Sequence, residues 1–344
     1  MKEIKAKVKT NFLKKIFIKI CRILGYEIID QSNFYVPTRS KYLNKNLNIP
    51  GNKSITLPLG ETKITRKIKS LTIIFRSCTS VNMLTQNKKR MFDQPKSEYT
   101  FRSLNSIISS LNIAKINFPQ VKFDIIIIDH ASKKNDIEQM KKQLNNSNFE
   151  NLFISLNIND FKSKIKKINQ ENKEVSDNQI SNMSNIHKSL LLAKERCEDL
   201  IYFVEDDYIH QRETFTEMLS SYERIASQLN KELILCPADY PFLYTNTDYT
   251  NIFLGYSKHW RLIDQTLCTF LTSKKILESY WNNLTSMCEF EHYPFEKPLH
   301  EIYKSEYCLS PIPSLALHCT NINSAYGLSP IMDWKKVWDE NEKY

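Results

Sequence analysis

Three consecutive carboxylates, Glu205, Asp206 and Asp207, follow the apolar run Leu200-Ile-Tyr-Phe-Val204. The run is short, β-branched and aromatic, which predicts a buried strand. Buried charge is costly unless it is paired or bound to a cation. Three acids at a strand end therefore predict an exposed rim, and such a rim suits a hard divalent metal. Mg²⁺ takes one or two protein carboxylates and completes its shell with water and substrate phosphate. If the strand ran on past Val204, Glu205 and Asp207 would face one side and Asp206 the other. An ordinary acidic loop after a core strand is the alternative.

Other strand ends carry further chemistry. Leu71 to Phe75 runs into Arg76, and Phe123 to Ile128 runs into Asp129. The segment between them has helical apolar spacing at Leu104, Ile107, Ile108 and Leu111. Strand, helix, strand at this spacing predicts a βαβ unit with parallel pairing. Ligands bind at the carboxyl ends of such strands. A last apolar segment, Ile312 to His318, ends in a histidine. Asp239 and Tyr240 follow a strand at Leu233 to Cys236, and Arg261 follows His259-Trp260; from position alone these three suit an acceptor wall or a phosphate contact.

The elements that must hold these groups follow in order. Residues 1–30 alternate Lys and Arg with Phe12, Leu13, Ile16, Phe17, Ile20, Ile23 and Leu24, which predicts a basic amphipathic helix. It lacks the roughly 20 apolar residues of a membrane span and the apolar stretch of a signal peptide. It suits an anionic membrane surface, or packing on a domain or partner. Residues 31–69 read as an arm, and 157–180 as a solvated loop or short charged helix. Helices are expected over 136–144, 184–195, 214–229, 273–284 and 298–303, and a hairpin around Gly255. Trp334 and Trp338, four apart in a polar tail, suit packing back on the domain. The division expected is an arm at 1–69, a domain at 70–320 and a tail at 321–344.

Composition narrows the function. The 344 residues carry a net charge of +10 and 41% hydrophobic residues, enough for a sizeable core. Basic balance fits nucleic acid, an anionic membrane or phosphate-bearing substrates. The Lys-rich 157–180 stretch has no interleaved aromatics, which argues against nucleic acid. Eight scattered cysteines form no Cys-x-x-Cys pair; they read as reduced thiols of a cytoplasmic protein. Only five glycines occur, so no Gly-rich phosphate loop can be assembled. A nucleotide must be gripped by side chains and a metal.

The strand ending in Arg76, the Ile125-Ile-Ile-Ile-Asp129-His-Ala-Ser132 strand, Tyr202-Phe-Val-Glu-Asp-Asp207 and the later His318, in this order, resemble GT-A glycosyltransferases of a family 2-like, non-processive kind. The third looks like their Asp-x-Asp motif in a Glu-Asp-Asp form. The Gln-x-x-Arg-Trp signature of processive members is absent. The resemblance implies a GT-A (Rossmann-like) α/β fold with a mixed, mostly parallel sheet, a nucleotide-sugar donor, and Mn²⁺ or Mg²⁺ on its diphosphate. It implies that Asp129 reads the base, that Asp206 lies near the ribose, and that Asp207 and His318 hold the metal. Arg76 and Glu205 are further candidates for the nucleotide sugar. An inverting transfer needs a carboxylate to take the acceptor's proton; Glu296 is the first candidate, then Glu301, with Glu291 also near. The acceptor expected is a glycan or lipid-linked sugar in surface polysaccharide or lipopolysaccharide assembly, on the inner face of a membrane. A nucleotidyltransferase of sugar phosphates would use similar carboxylates and a metal, and a non-enzymatic surface-binding protein on a degenerate scaffold is the third possibility.

Overall fold

The computed structural model describes residues 12–26, 54–57, 60–80, 90–245, 247 and 249–342. In chain order these form α1 (Phe12–Ile23), β1 (Ser54–Leu57), β2 (Gly60–Lys63), β3 (Ser70–Ser77), α2 (Lys96–Asn117) and β4 (Lys122–Asp129). Next come α3 (Lys134–Asn145), β5 (Glu150–Ser155), α4 (Asn159–Lys162), α5 (Asp177–Arg196), β6 (Leu200–Glu205) and β7 (Tyr208–His210). Then follow α6 (Thr214–Leu229), β8 (Leu233–Leu235), β9 (Ile252–Leu254), β10 (His259–Leu262), β11 (Phe270–Ser273), α7 (Lys274–Ser279) and α8 (Trp281–Glu289). The last are α9 (Lys297–Tyr303), β12 (Tyr307–Ile312), β13 (Ala316–His318) and α10 (Trp334–Asp339).

Nine strands build one mixed sheet in the order β5-β4-β3-β6-β11-β8-β12-β10-β9. β5, β4, β3 and β6 are parallel. β11 runs against both β6 and β8, and β12 lies parallel to β8. Most paired residues belong to the parallel ladders. The reason is visible in β3, where every residue from Ser70 to Ser77 is buried; a strand covered on both faces needs a continuous apolar run. α5 packs on β3 and β4, and α2 packs on β7 and α6. The fold is therefore α/β, a mixed, mostly parallel sheet flanked by helices, as expected.

Three details differ from the sequence reading. Ile312 to His318 is not one strand. β12 belongs to the large sheet, and after Pro313 the chain leaves it so that β13 pairs with β7. The expected loop before residue 180 contains the first turn of α5, whose start is fixed by Ser176 Oγ accepting from the Gln179 amide at 3.2 Å. The expected 273–284 helix is broken at Tyr280, whose backbone is not helical.

A second core lies under the β7–β13 pair. It joins Ile209, Leu317 and Cys319 to Tyr99, Met332, Val337 and Trp338. Trp338 stacks on Phe92 at 3.9 Å and meets the Tyr99 ring edge-on at 4.9 Å. Both rings bury large apolar area, and this anchors the turn between β6 and β7 from below. Of the predicted basic helix, α1 covers 12–23; residues 1–11 and 27–30 lie outside the described residues, as do all of 31–53.

Candidate active site

β6 ends at Glu205, and a turn at Asp206-Asp207 leads into β7. The strand does not run on, so the three carboxylates part ways. Glu205 lies 3.0 Å from Arg76 Nη2 as an ion pair, with its carboxylate partly exposed. The Arg76 guanidinium, almost wholly buried, also donates to Asn182 Oδ1 at 3.0 Å. Asp206 turns inward. It accepts from Lys96 Nζ, from Thr100 Oγ1 at 2.9 Å and from the Cys78 amide at 3.1 Å. Both Asp206 oxygens are engaged by the start of α2 and the end of β3, so the side chain is held by the protein even though it lines the cleft.

Asp207 faces the other way. Its Oδ2 accepts from Arg90 Nη1 at 2.9 Å, and its Oδ1 lies 3.8 Å from His318 Nε2. β-sheet register produces this meeting. Tyr208 pairs with His318 across β7 and β13, and the Cys319 amide donates to the Asp207 carbonyl at 2.8 Å. The imidazole stacks on Tyr208, centroids 4.5 Å apart at 6°. His318 Nδ1 donates to the Tyr326 carbonyl at 2.7 Å. With Nδ1 committed to that carbonyl, Nε2 is the ring nitrogen that faces Asp207. Burial pushes the Asp207 carboxyl up, but Lys96, His318 and Arg90 outweigh it and hold it well below the usual range.

These groups line one cleft of about 480 Å³ at the carboxyl edge of the parallel strands. Arg76, Glu205, Asp206, Asp207 and His318 line it, with Arg90, Lys96 and Glu296. Glu296 precedes α9, open to the cleft but walled by protein elsewhere. That desolvation, with the nearby Glu205 charge, raises its carboxyl to about 7 despite an opposing backbone hydrogen bond and Arg76. Cys268 Sγ lies 3.9 Å from Glu296 Oε1. Glu291 also lines the cleft, with Oε2 accepting from Asn169 at 3.0 Å.

Not every expected residue arrives. Asp129 ends β4, but it lies beneath the rim at 2% exposure. It accepts from Ser77 Oγ at 2.8 Å and Ser132 Oγ at 2.5 Å, and its burial raises its carboxyl. Its neighbour His130 lines the cleft instead. Glu301 does not reach the cleft; it is exposed on α9 and paired with Lys304 at 2.6 Å. Asp239 is paired with Arg261 and accepts from Tyr244 at 2.6 Å, and Tyr240 hydrogen-bonds Tyr208 at 2.7 Å behind His318. None of these three lines the cleft.

Arg90 and Lys96 were missed by the sequence reading. Arg90 belongs to no apolar repeat. Lys96 had one signal, its place after Pro95 at a helix start. A lysine at a helix N-terminus opposes the dipole, so it needs a carboxylate nearby, and Asp206 supplies it.

No family model matches the chain, and no curated protein does. Among solved structures it is similar to the galactosyltransferase LgtC in complex with donor and acceptor sugar analogues, at 10% identity and a TM-score of 0.35, over 67% of this chain and 66% of that one. It is similar to residues 1–349 of S. aureus TarS at 11% identity and a TM-score of 0.38, covering 70% of this chain and 57% of that one. It is similar also to UTP-bound UGPase from Acinetobacter baumannii at 9% identity and a TM-score of 0.39, covering 80% and 92%. The chain thus spans just under two thirds of LgtC and less of TarS.

Proposed function

We propose that this chain is a metal-dependent glycosyltransferase that moves a sugar from a nucleoside-diphosphate donor to an acceptor hydroxyl, on a glycan or a lipid-linked sugar. The observation that carries the reading is the meeting of Asp207 Oδ1 and His318 Nε2 at 3.8 Å, in a cleft that also holds Glu296. One carboxylate and one neutral imidazole fit Mn²⁺, and less well Mg²⁺. Their separation is shorter than two metal–ligand bonds of about 2.1 Å laid end to end. Among the described residues no three His, Cys, Asp or Glu side chains converge on a metal point, so the remaining positions fall to water and donor phosphate. Such an ion would stabilise the charge that builds on the leaving diphosphate.

The chain's own residues supply the rest. Arg76, Arg90 and Lys96 bring positive charge to the phosphate side. Glu296, partly ionised near neutral pH, takes the acceptor hydroxyl's proton. The Nδ1 bond from His318 to the Tyr326 carbonyl keeps the ring from turning.

α1 supports a membrane setting. All its apolar side chains but Ile18 and Cys21 are exposed, Phe12 at 73% and Ile23 at 77% among them. At 100° per residue they form an arc of roughly 140°. Lys14, Lys15 and Arg22 stand opposite, Lys19 borders the arc, and the helix carries no acid. An anionic lipid surface complements both faces. No helix among the described residues is long and apolar enough to cross a membrane.

A screen of common nucleotide sugars tests the proposal. Release of a nucleoside diphosphate that depends on a divalent ion and stops in EDTA is expected. Release of pyrophosphate from a nucleoside triphosphate and a sugar phosphate would favour the nucleotidyltransferase instead. No turnover of either kind would leave a binding protein.

A further inference from the structure

We infer that Arg90 is the resting counter-ion of Asp207, and that it becomes a diphosphate-binding residue when a divalent cation takes that carboxylate. This rests on the metal-dependent reading above. Arg90 Nη1 donates to Asp207 Oδ2 at 2.9 Å and to the Cys319 carbonyl at 3.0 Å. Its guanidinium lies over the Tyr99 ring, 5.0 Å from the centroid. The side chain is only 7% exposed, yet it lines the cleft.

Lys96 and Arg90 are not equivalent. Lys96 hydrogen-bonds Asp206, which Thr100 and the Cys78 amide hold in place, and reaches Asp207 Oδ2 only at 4.0 Å, whereas Arg90 donates to that oxygen at 2.9 Å. Arg90 is bound to the oxygen of Asp207 next to the one that faces His318. A cation held by Asp207 and His318 would draw on the same carboxylate charge and repel the guanidinium. Metal and Arg90 therefore compete for Asp207.

The released cation has a use. Five carboxyl groups line the cleft against three cations, Arg76, Arg90 and Lys96. By itself the cleft disfavours a diphosphate. A bound divalent ion reverses the balance, and a guanidinium freed from Asp207 presents a fork of donors that matches phosphate oxygens. Each ligand then helps the other, and the coupling is reciprocal.

The test has a sign that a purely structural arginine would not produce. Mn²⁺ binding to the full-length chain is followed by electron paramagnetic resonance without phosphate ligands, in the wild type, Arg90→Gln and Arg90→Lys. Arg90→Gln should bind Mn²⁺ about threefold to tenfold more tightly, because its competitor is gone. Inorganic pyrophosphate, titrated calorimetrically at saturating Mn²⁺, should bind Arg90→Gln about tenfold more weakly. Arg90→Lys, which keeps the charge but not the fork, should stay near the wild type for Mn²⁺ and fall between for pyrophosphate. Matching melting curves without ligands establish that the variants fold. Unchanged or weaker Mn²⁺ binding in Arg90→Gln, with the wild type binding normally, overturns the role of Arg90 alone. A wild type that binds no Mn²⁺ overturns the metal reading and this inference together.

Discussion

The carboxylate of Asp207 and the imidazole of His318 face each other at 3.8 Å, one at the start of a β-strand pair and the other at its end. Asp207 precedes β7, His318 closes β13, and the ladder between them sets the distance. Asp207→Ala should abolish transfer while the protein melts within a few degrees of the wild type, since the side chain belongs to the cleft rim. Normal activity in that variant, or in wild-type protein stripped with EDTA, would remove the metal from the mechanism.

His318→Ala should act more gently. The Mn²⁺ concentration for half-maximal rate should rise by about tenfold or more, as expected when one of two protein ligands is lost, with the order of donor preference unchanged. A changed donor preference at an unchanged metal requirement would place His318 at the sugar instead.

Glu296 makes two pH predictions from one raised carboxyl. As a base it works ionised, so the rate should climb with pH through about 7. Glu296→Gln should lower kcat by roughly 10²–10⁴. The stability sign is opposite. The folded carboxyl lies above its unfolded value, so its neutral form suits the fold below the unfolded value and ionisation costs stability as pH rises to about 7. Glu296→Gln should therefore gain on the wild type across that window, by up to about 3 kcal/mol. Chemical denaturation at several pH values measures it; a constant difference would show that Glu296 titrates normally.

For α1, Ile16→Asp with Phe17→Asp in the full-length chain should abolish sedimentation with vesicles containing anionic lipid. Binding by the wild type should weaken as salt rises from about 0.1 to 1 M, where screening shortens to about 3 Å. Equal binding by both proteins would assign the helix to packing or to a protein partner.

Glu217 offers a check remote from the cleft. This buried carboxylate accepts from the Tyr256 amide at 3.0 Å, the Ser257 amide at 2.6 Å and Trp260 Nε1 at 3.0 Å, fixing the turn between β9 and β10. Gly255 lies against Trp260 so closely that an added Cβ would fall 2.4 Å from its Nε1. Glu217→Ala strands several buried donors and should cost about 3 kcal/mol in urea unfolding, with the rate per folded molecule unchanged. A loss of activity without a loss of stability would tie this hairpin to the acceptor.

The amino-acid sequence by itself determined the strands β3, β4 and β6, the parallel sheet they form and the acidic rim at its carboxyl edge. These are properties of short apolar runs and of the groups that end them, and local patterning carries them directly. The basic amphipathic face of α1 was legible for the same reason. Tertiary structure decided which acids serve the cleft. A turn after Glu205 sent Asp206 into Lys96 and Thr100 and left Asp207 on the rim, a choice that depends on a helix start far away in the chain. Asp129 sank beneath the edge because two serines satisfy it there. Arg90 and Lys96 had no periodic signature, since a cation's role depends on which carboxylate folding brings to it. His318 reached Asp207 only because the chain leaves the large sheet after Pro313 and pairs with β7, and long-range pairing of that kind is set by packing, which no local pattern records.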